Sequence, residues 1–359
     1  MSDPVGNPLQ TRFTRLVGCR LPVVQTGMGW VSGANLTAAT SAAGGFGILA
    51  AVTMTPAELR TAVRSVRERT DAPFGVNFRA DQPDLDERVA FVVAEGVRLV
   101  SFAGAPTRDT VVRCHDAGVL VMPTVGARRH AEKVLEMGVD AVIAQGSEGG
   151  GHTGAVPTTL LLPQVVDAVG AEIPVLGAGG FFDGRGLVAA LAYGADGIAM
   201  GTRFLLTHES RVPDAVKQRY TAATVTDTVV TTALDGAPQR VIRTEVVERI
   251  ERSPKLLRFP RAAAAAWRFS RETGTPVREL VREGLAMRRN QDLTWAQVAL
   301  AANAPMLIRA TLVEGKVDVG VLPTGQVTGV IDELPTVADL LARLEKEADT
   351  ALAHLGGPR

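Results

Sequence analysis

Short runs rich in Val, Ile, Leu and Phe recur eight times between residues 23 and 202, and this beat constrains the fold more than any other feature of the chain. The runs are VVQT at 23–26, GFGILA at 45–50, FGVNF at 74–78, LVSFAG at 99–104, VLVMPTV at 119–125, AVIAQG at 141–146, VLGAGG at 175–180 and GIAMGT at 197–202. Their starts lie 20 to 34 residues apart, the span of one strand, one crossover helix and two loops. TPAELRTAVRSVRER after the second run and ARRHAEKVLEMG after the fifth place apolar residues three and four apart, and Gly138 marks a stop. Eight such units predict an α/β fold, a closed (β/α)8 TIM barrel. An open doubly wound sheet is the alternative. Against it, no G-x-G-x-x-G opens the first helix with an acidic residue about 20 positions later.

After Thr202 the pattern changes. A polar, β-prone stretch, ATVTDTVVTTALDG at 223–236, is followed by helical segments such as RAAAAAWRFSRE and PVRELVREGLAMRR. The expected organisation is a barrel over 1–205, a mainly helical second lobe inserted after strand eight over 206–302, and a return segment over 303–359. The last of these ends in a helix, TVADLLARLEKEADTALAHL, whose apolar residues at helical spacing would pack on the barrel.

Charge and composition narrow the partners. Lys plus Arg and Asp plus Glu both total 38, so no overall field draws in nucleic acid or an anionic membrane. Aromatic residues make up only 4%, too few for the aromatic and basic interleaving of single-strand binders, whereas 37 glycines suit a ligand cradled by backbone. Cys19 and Cys114 are too few for a disulfide framework and show no metal-ligand spacing, so no metal site is expected and a reducing cytoplasm is the expected location. The opening MSDPVGNPLQTRF has no apolar core of a signal peptide, and no apolar run reaches the length of a membrane span. A small-molecule substrate is the expected partner, with no nucleic acid or membrane, and a homodimer is left open.

In a barrel of this kind the loops after the strands form the active face. The seventh run ends in GAGGF and the eighth in AMGTRF, which brings Gly177, Gly179, Gly180, Gly201 and Thr202 to neighbouring loop mouths. Glycine there tolerates positive φ and lets backbone N–H groups approach an anion, and the following helix N-terminus adds partial positive charge, so a phosphate is expected. The same glycines would also serve as plain tight turns. The sixth run leads into AQGSEGGGHTG, with Gln145 near the strand end, His152 beyond three glycines and Glu148 as a candidate orienting partner. An imidazole on such a loop suits general acid or base work near neutral pH, whereas His115, His130, His208 and His354 read as surface residues. Asn77, in GVNFR, could pair its amide with the edge of a flat ring or merely form a turn. The first run ends in QTGMGWVSG, so Gln25, Met28 and Trp30 border the same cavity, and glycines 27, 29 and 33 permit close approach of a large planar ligand. Met28 and Trp30 would serve equally well as core plugs.

Taken together, these segments resemble the nitronate monooxygenase family, once called 2-nitropropane dioxygenases, which includes FMN-dependent enoyl reductases of the same fold. The likeness covers most of the barrel and rests on Met28, SAAGGFGIL, GVNF, AQGSEGGGHTG, GAGGF, MGTRF and GQVTGVIDELP. It implies that Asn77, Gln145, Gly150, Gly180 and the segment Ala199, Met200, Gly201 and Thr202 hold FMN, with Gln25, Gly27, Met28, Gly151 and Gly179 beside them. It also implies that His152 is the catalytic base, which in the monooxygenases removes a proton from the carbon next to the nitro group, and that Gln326 lies close to the cavity. The sequence departs from the monooxygenases at Gly27, Met28, Gly29 and Trp30, where they usually read Pro-Met followed by small residues, and at Gly149, where Ala is commoner. TGMGWVSG and the extended second lobe look more like an actinobacterial branch acting on acyl-CoA intermediates of steroid C and D ring degradation, the IpdC-type dehydrogenases.

One local feature points to CoA independently. Between Arg252 and Arg289 ten Arg or Lys stand against three Glu. Such a cluster could pair with the phosphates of CoA and stack on adenine, or could be a solvated helical face. Arg258 and Arg261 of this run, with Trp30 and Gln326, are the expected substrate contacts. The expected activity is an FMN-dependent dehydrogenase or reductase at the carbon–carbon bond next to a thioester, with NAD(P) as co-substrate. One alternative is a nitronate monooxygenase reoxidised by oxygen; another is a flavin-free barrel that binds a sugar phosphate.

Overall fold

The computed structural model describes residues 7–252 and 304–356. All eight apolar runs form strands: β1 Val23–Gln25, β2 Phe46–Ala50, β3 Gly75–Arg79, β4 Leu99–Ala103, β5 Leu120–Val125, β6 Val142–Gln145, then, after the short β7 Gly151–His152, β8 Val175–Ala178 and β9 Gly197–Met200. Without β7 they pair in parallel in chain order, and β9 returns to β1 through Val23↔Ile198, Val24↔Ala199 and Gln25↔Met200 to close the barrel. Both faces of these strands are covered, which is why they read as continuous apolar runs rather than alternating ones. All five residues of β2 are buried.

Among the described residues the helices are α1 Arg12–Val17, α2 Ala34–Ala42, α3 Pro56–Arg67, α4 Leu85–Ala94, α5 Arg108–Asp116, α6 Arg128–Glu136, α7 Thr158–Val169, α8 Gly184–Ala192, α9 Thr202–Leu205, α10 Asp214–Thr221, α11 Glu245–Arg252, α12 Ala304–Leu312 and α13 Val337–Gly356. Local chemistry explains where they begin. Thr55 and Glu58 form a reciprocal capping box at α3, Pro56 occupies its first turn, and Leu59, Val63 and Val66 make its buried stripe. The barrel interior is filled by Val24, Phe46, Ile48, Leu99, Met122, Ile143 and Leu176, with Phe13 and Val17 of α1 added. Phe13 meets Phe46 edge-on, ring centroids 6.0 Å apart. No helix among the described residues is long and apolar enough to cross a membrane.

Two compact units result. The first comprises 1–149, 154–211 and 331–359; the second comprises 150–153 and 212–330. In the second, β10 Thr228–Thr231 pairs antiparallel with β11 Gln239–Ile242, and β11 pairs antiparallel with β7. Leu234, Val241, Val247, Ala304 and Val321 form its core. The unit boundaries differ from the expected breaks at 205 and 302. Ala304 and Val321 are buried in the second unit's core, which keeps the return segment there until Val330, and pairing with β11 draws residues 150–153 into its sheet. The described part of this lobe is thus mixed helix and sheet; the helical segments expected at 261–272 and 276–289 lie outside the described residues.

Candidate active site

The loop after β1 is built around Gln25. Its side chain is fully buried, with the amide nitrogen 2.9 Å from Ser32 Oγ and 3.1 Å from Ile48 O. Ser32 Oγ donates to Thr26 O and accepts from Met28 N, so the Gln25 amide nitrogen shapes the loop through Ser32, while its buried Oε1 has no hydrogen-bond partner among the described residues. Gly27 is required by close approach: a Cβ there would lie 2.3 Å from Asn77 Cβ. Asn77 is partly exposed, its amide nitrogen 3.4 Å from Ser101 Oγ. Met28 sits against Gly201, where an added Cβ would lie 3.2 Å from the Met28 sulfur. Trp30 has φ of 60°, a left-handed conformation that costs a bulky residue on the order of 1–3 kcal/mol. Its N–H donates to Thr53 Oγ1 and its carbonyl accepts from Arg211 Nε at 2.7 Å, which hold the turn in place.

At the ends of β8 and β9 the backbone supplies the chemistry. Gly179 and Gly180 have φ of 91° and 85°, values that L side chains rarely adopt. A Cβ on Gly179 would also lie 2.9 Å from Gly149 N, so the β6 and β8 loops touch through bare backbone. Ala199 and Met200 are buried in β9 and can serve a ligand only through main-chain atoms. Thr202 opens the short α9, with Gly201 before it. At the start of α8, Gly186 N donates to Asp183 Oδ1 and Gly184 N donates to Glu347 Oε2, each at 2.9 Å, so two carboxylates cap that helix end.

The β6 loop carries a correction. Glu148 accepts from Thr158 N at 2.9 Å and from Thr158 Oγ1 at 2.8 Å, which makes it the cap of α7. The carboxylate that orients His152 is Asp235. His152 Nε2 lies 2.8 Å from Asp235 Oδ2 and 3.2 Å from Gln239 Nε2, and Gln239 Nε2 also donates to Asp235 Oδ2. Antiparallel pairing sets this geometry, because Gln239 of β11 stands directly opposite His152 of β7. The imidazole side chain is two-thirds exposed (66%), whereas Asp235 is 12% exposed. Burial pushes the Asp235 carboxyl up, but hydrogen bonds from His152, Ala237 N and Gln239 and attraction to the imidazole outweigh it and hold the group below its ordinary value.

Sequence reasoning missed Asp235. It lies in the quoted 223–236 stretch, and the one local signal was its place before Gly236, which has φ of 92° in a turn. Gly150 has a packing reason of its own, since a Cβ there would lie 2.5 Å from Gly325 N. Gly151 has φ of 65° and open space around it. Gln326 begins a 3-10 turn, Gln326–Val330, anchored where Thr328 Oγ1 donates to Tyr220 O. Arg258 and Arg261 lie outside the described residues. No cluster of three His, Cys, Asp or Glu among the described residues could hold a metal.

The barrel loops suit a flavin on their own chemistry. Gly27 and Gly179 leave no room for a side chain, Gly180 and Gly201 present backbone, and the neutral amides of Asn77 and Gln145 match the donors and acceptors of a flat heterocycle's edge.

The comparisons with known proteins agree with this picture. The family model described as nitronate monooxygenase matches residues 10–90 and 85–347. A protein of Mycobacterium tuberculosis named (3aS,4S,5R,7aS)-5-hydroxy-7a-methyl-1-oxo-octahydro-1H-indene-4-carboxyl-CoA dehydrogenase is 54% identical over 96% of this chain and 97% of its own. A Rhodococcus jostii protein of the same name is 52% identical over 98% of this chain and 99% of its own. The solved structure of FabK from Thermotoga maritima superposes with a TM-score of 0.77 at 34% identity, covering 96% of this chain and 98% of that one. A closed barrel with glycine-built loop mouths, a strand-six loop bearing a carboxylate-paired histidine, and matches along nearly the whole length place the chain in the nitronate monooxygenase family of flavin-dependent oxidoreductases.

Proposed function

We propose that the chain is an FMN-dependent dehydrogenase that forms a double bond between the α- and β-carbons of a CoA thioester, with NAD(P) as the co-substrate that recycles the flavin. The observation that carries this reading is the reach of the 54% identity, which extends over 96% of the chain and so takes in the second unit as well as the barrel. That relative is named for a carboxyl-CoA substrate. The acyl group we propose is likewise a fused-ring remnant of the C and D rings of a steroid. Further support comes from the ten basic residues against three acidic ones at 252–289, a local charge suited to the phosphates of CoA.

The chain's residues divide the work. Asn77 and Gln145 would bind the polar edge of the flavin ring, the backbone of Gly179, Gly180, Gly201 and Thr202 would hold its phosphate, and Met28 and Trp30 would limit water access. The thioester carbonyl acidifies the α C–H, and His152 takes that proton while the electron pair becomes the new π bond. Bound FMN supplies the acceptor for the hydride that leaves the β-carbon. The test is turnover of the flavoprotein with an acyl-CoA plus NAD(P), with and without oxygen, beside a nitronate. Thioester-dependent NAD(P) reduction without oxygen is expected. Oxygen consumption driven by the nitronate, with no thioester oxidation, would replace this reading with a nitronate monooxygenase.

A further inference from the structure

We infer that Thr124 is a third hydrogen-bonding contact to the polar edge of the flavin ring, beside Asn77 and Gln145, and that its hydroxyl favours the reduced ring. The inference rests on the proposed seat of that edge at Asn77 and Gln145 and is independent of which substrate is oxidised.

The register of the barrel places Thr124. Side chains inside such a barrel stack in layers, four to a layer, taken from alternate strands, because the tilted strands climb as the layer passes around the barrel. Asn77 pairs with Ser101 and Ser101 with Met122, so the next inward residue of β5, one step up the tilt, is Thr124. Met122 belongs to the barrel interior, and alternation along the strand turns Thr124 to the same face. Thr124 pairs with Ile143 and Ile143 with Leu176, and the same step leads to Ala178 of β8. Continued through β9 it reaches Thr26, just past β1, and through β2 it returns to Asn77. One layer therefore holds Thr26, Asn77, Thr124 and Ala178.

This layer is where the barrel opens. In the layer beneath, Val24, Met122 and Leu176 are all 0% exposed, whereas Thr26, Asn77 and Thr124 are partly exposed. At the next level up the strands on either side of Thr124 carry Ala103, which is exposed and has no side chain to cover its neighbours, and Gln145. Thr124 thus stands on the same floor as Asn77 and below Gln145, the two amides assigned to the ring's edge.

The chemistry of the floor is neutral. Arg79, the inward residue above Asn77, directs Nε and Nη2 to Asp81 at 2.9 and 2.7 Å. The Asn77 amide nitrogen donates to Ser101 Oγ and Thr26 Oγ1 donates to Met200 O, each over a long 3.4 Å. Thr124 Oγ1 makes no hydrogen bond among the described residues, so its proton can serve a ligand. Reduction of a flavin gathers negative charge at the pyrimidine end of the ring, and a hydrogen bond to a charged acceptor is roughly twice as strong as one to a neutral acceptor. A hydroxyl donor at that edge therefore holds the reduced ring more tightly than the oxidised one.

Flavin affinity and midpoint potential test this without any turnover. Thr124→Val keeps the β-branched shape and removes the hydroxyl. Oxidised FMN should bind about 3- to 10-fold more weakly. Reduced FMN should lose roughly a further tenfold, which lowers the two-electron midpoint by about 30 mV. Thr124→Ser keeps the hydroxyl and should return both quantities to near the wild-type values. Wild-type affinity and midpoint in Thr124→Val overturn the inference, even where Asn77→Ala and Gln145→Ala weaken FMN binding. A Thr124→Ser protein as impaired as Thr124→Val also overturns it, because the methyl group and not the hydroxyl would then matter. If Asn77→Ala and Gln145→Ala leave FMN affinity unchanged while Thr124→Val lowers the midpoint, the seat proposed for the ring's edge fails and the Thr124 contact stands.

Discussion

The barrel and the second unit differ in how their strands support the groups at the loops. Each barrel strand has a neighbour on both sides, and its interior is filled by Val24, Ile48, Met122, Leu176 and their neighbours. At the loop mouths close backbone approach matters as much as side-chain bonds: Gly27 and Gly179 leave no room for a Cβ, beside contacts such as Ser32 Oγ to Thr26 O. Among its described residues the second unit has a sheet of three strands, one of them two residues long. Side chains fix its loops: Tyr220 Oη donates to Pro323 O at 2.9 Å, Arg240 to Thr228 Oγ1 at 2.8 Å, and Gln239 and His152 both reach Asp235. The difference teaches where each unit is vulnerable. Added volume should damage the barrel, whereas lost hydrogen bonds and charges should damage the second unit.

Three substitutions would break or sharpen that contrast. The largest effect is expected from His152→Ala, which removes the proposed proton acceptor but leaves the barrel glycines untouched. Turnover with the thioester should fall by about 10²- to 10⁴-fold while the flavin content of the purified protein stays at the wild-type level. Loss of flavin along with turnover would show that the two functions do not separate as described. Gly27→Ala should do the reverse. Its Cβ would lie 2.3 Å from Asn77 Cβ, and overpacking of this kind costs about 1–3 kcal/mol. A lower flavin-to-protein ratio and a lower denaturant midpoint are expected, and a protein that binds flavin normally would remove Gly27 from the cradle. The smallest effect is expected from Asp183→Ala, which removes the cap of α8 and costs about 1 kcal/mol. Because it also deletes a negative charge at that helix end, flavin affinity should hold or improve. Weaker binding would mean that the carboxylate helps the phosphate site.

Much of the fold was legible because a βα barrel writes each unit locally. A buried parallel strand must be apolar along its length, its helix must carry an apolar stripe, and both signals lie within a few tens of residues. Hence β1 to β6, β8 and β9 were all found, and α3 and α6 followed from apolar spacing and the stop at Gly138. The loop glycines were also visible, since positive φ at Gly179 and Gly180 narrows the choice of residue. Partners of charged and amide side chains were not. Glu148 stands near His152 in sequence yet caps α7 through Thr158, and Glu347 reaches Gly184 from the other end of the chain. Gln25 ends a strand, but that burial turns its amide nitrogen toward Ser32 and Ile48 was not written locally.

The sequence by itself determined the eight-stranded barrel, the glycine-built mouths of β8 and β9, and a histidine on the strand-six loop, because each depends on residues close together along the chain. Only the tertiary structure decided which carboxylate serves that histidine. Asp235 is 83 residues away, and a hydrogen bond of 2.8 Å is set by strand register, which no local pattern encodes.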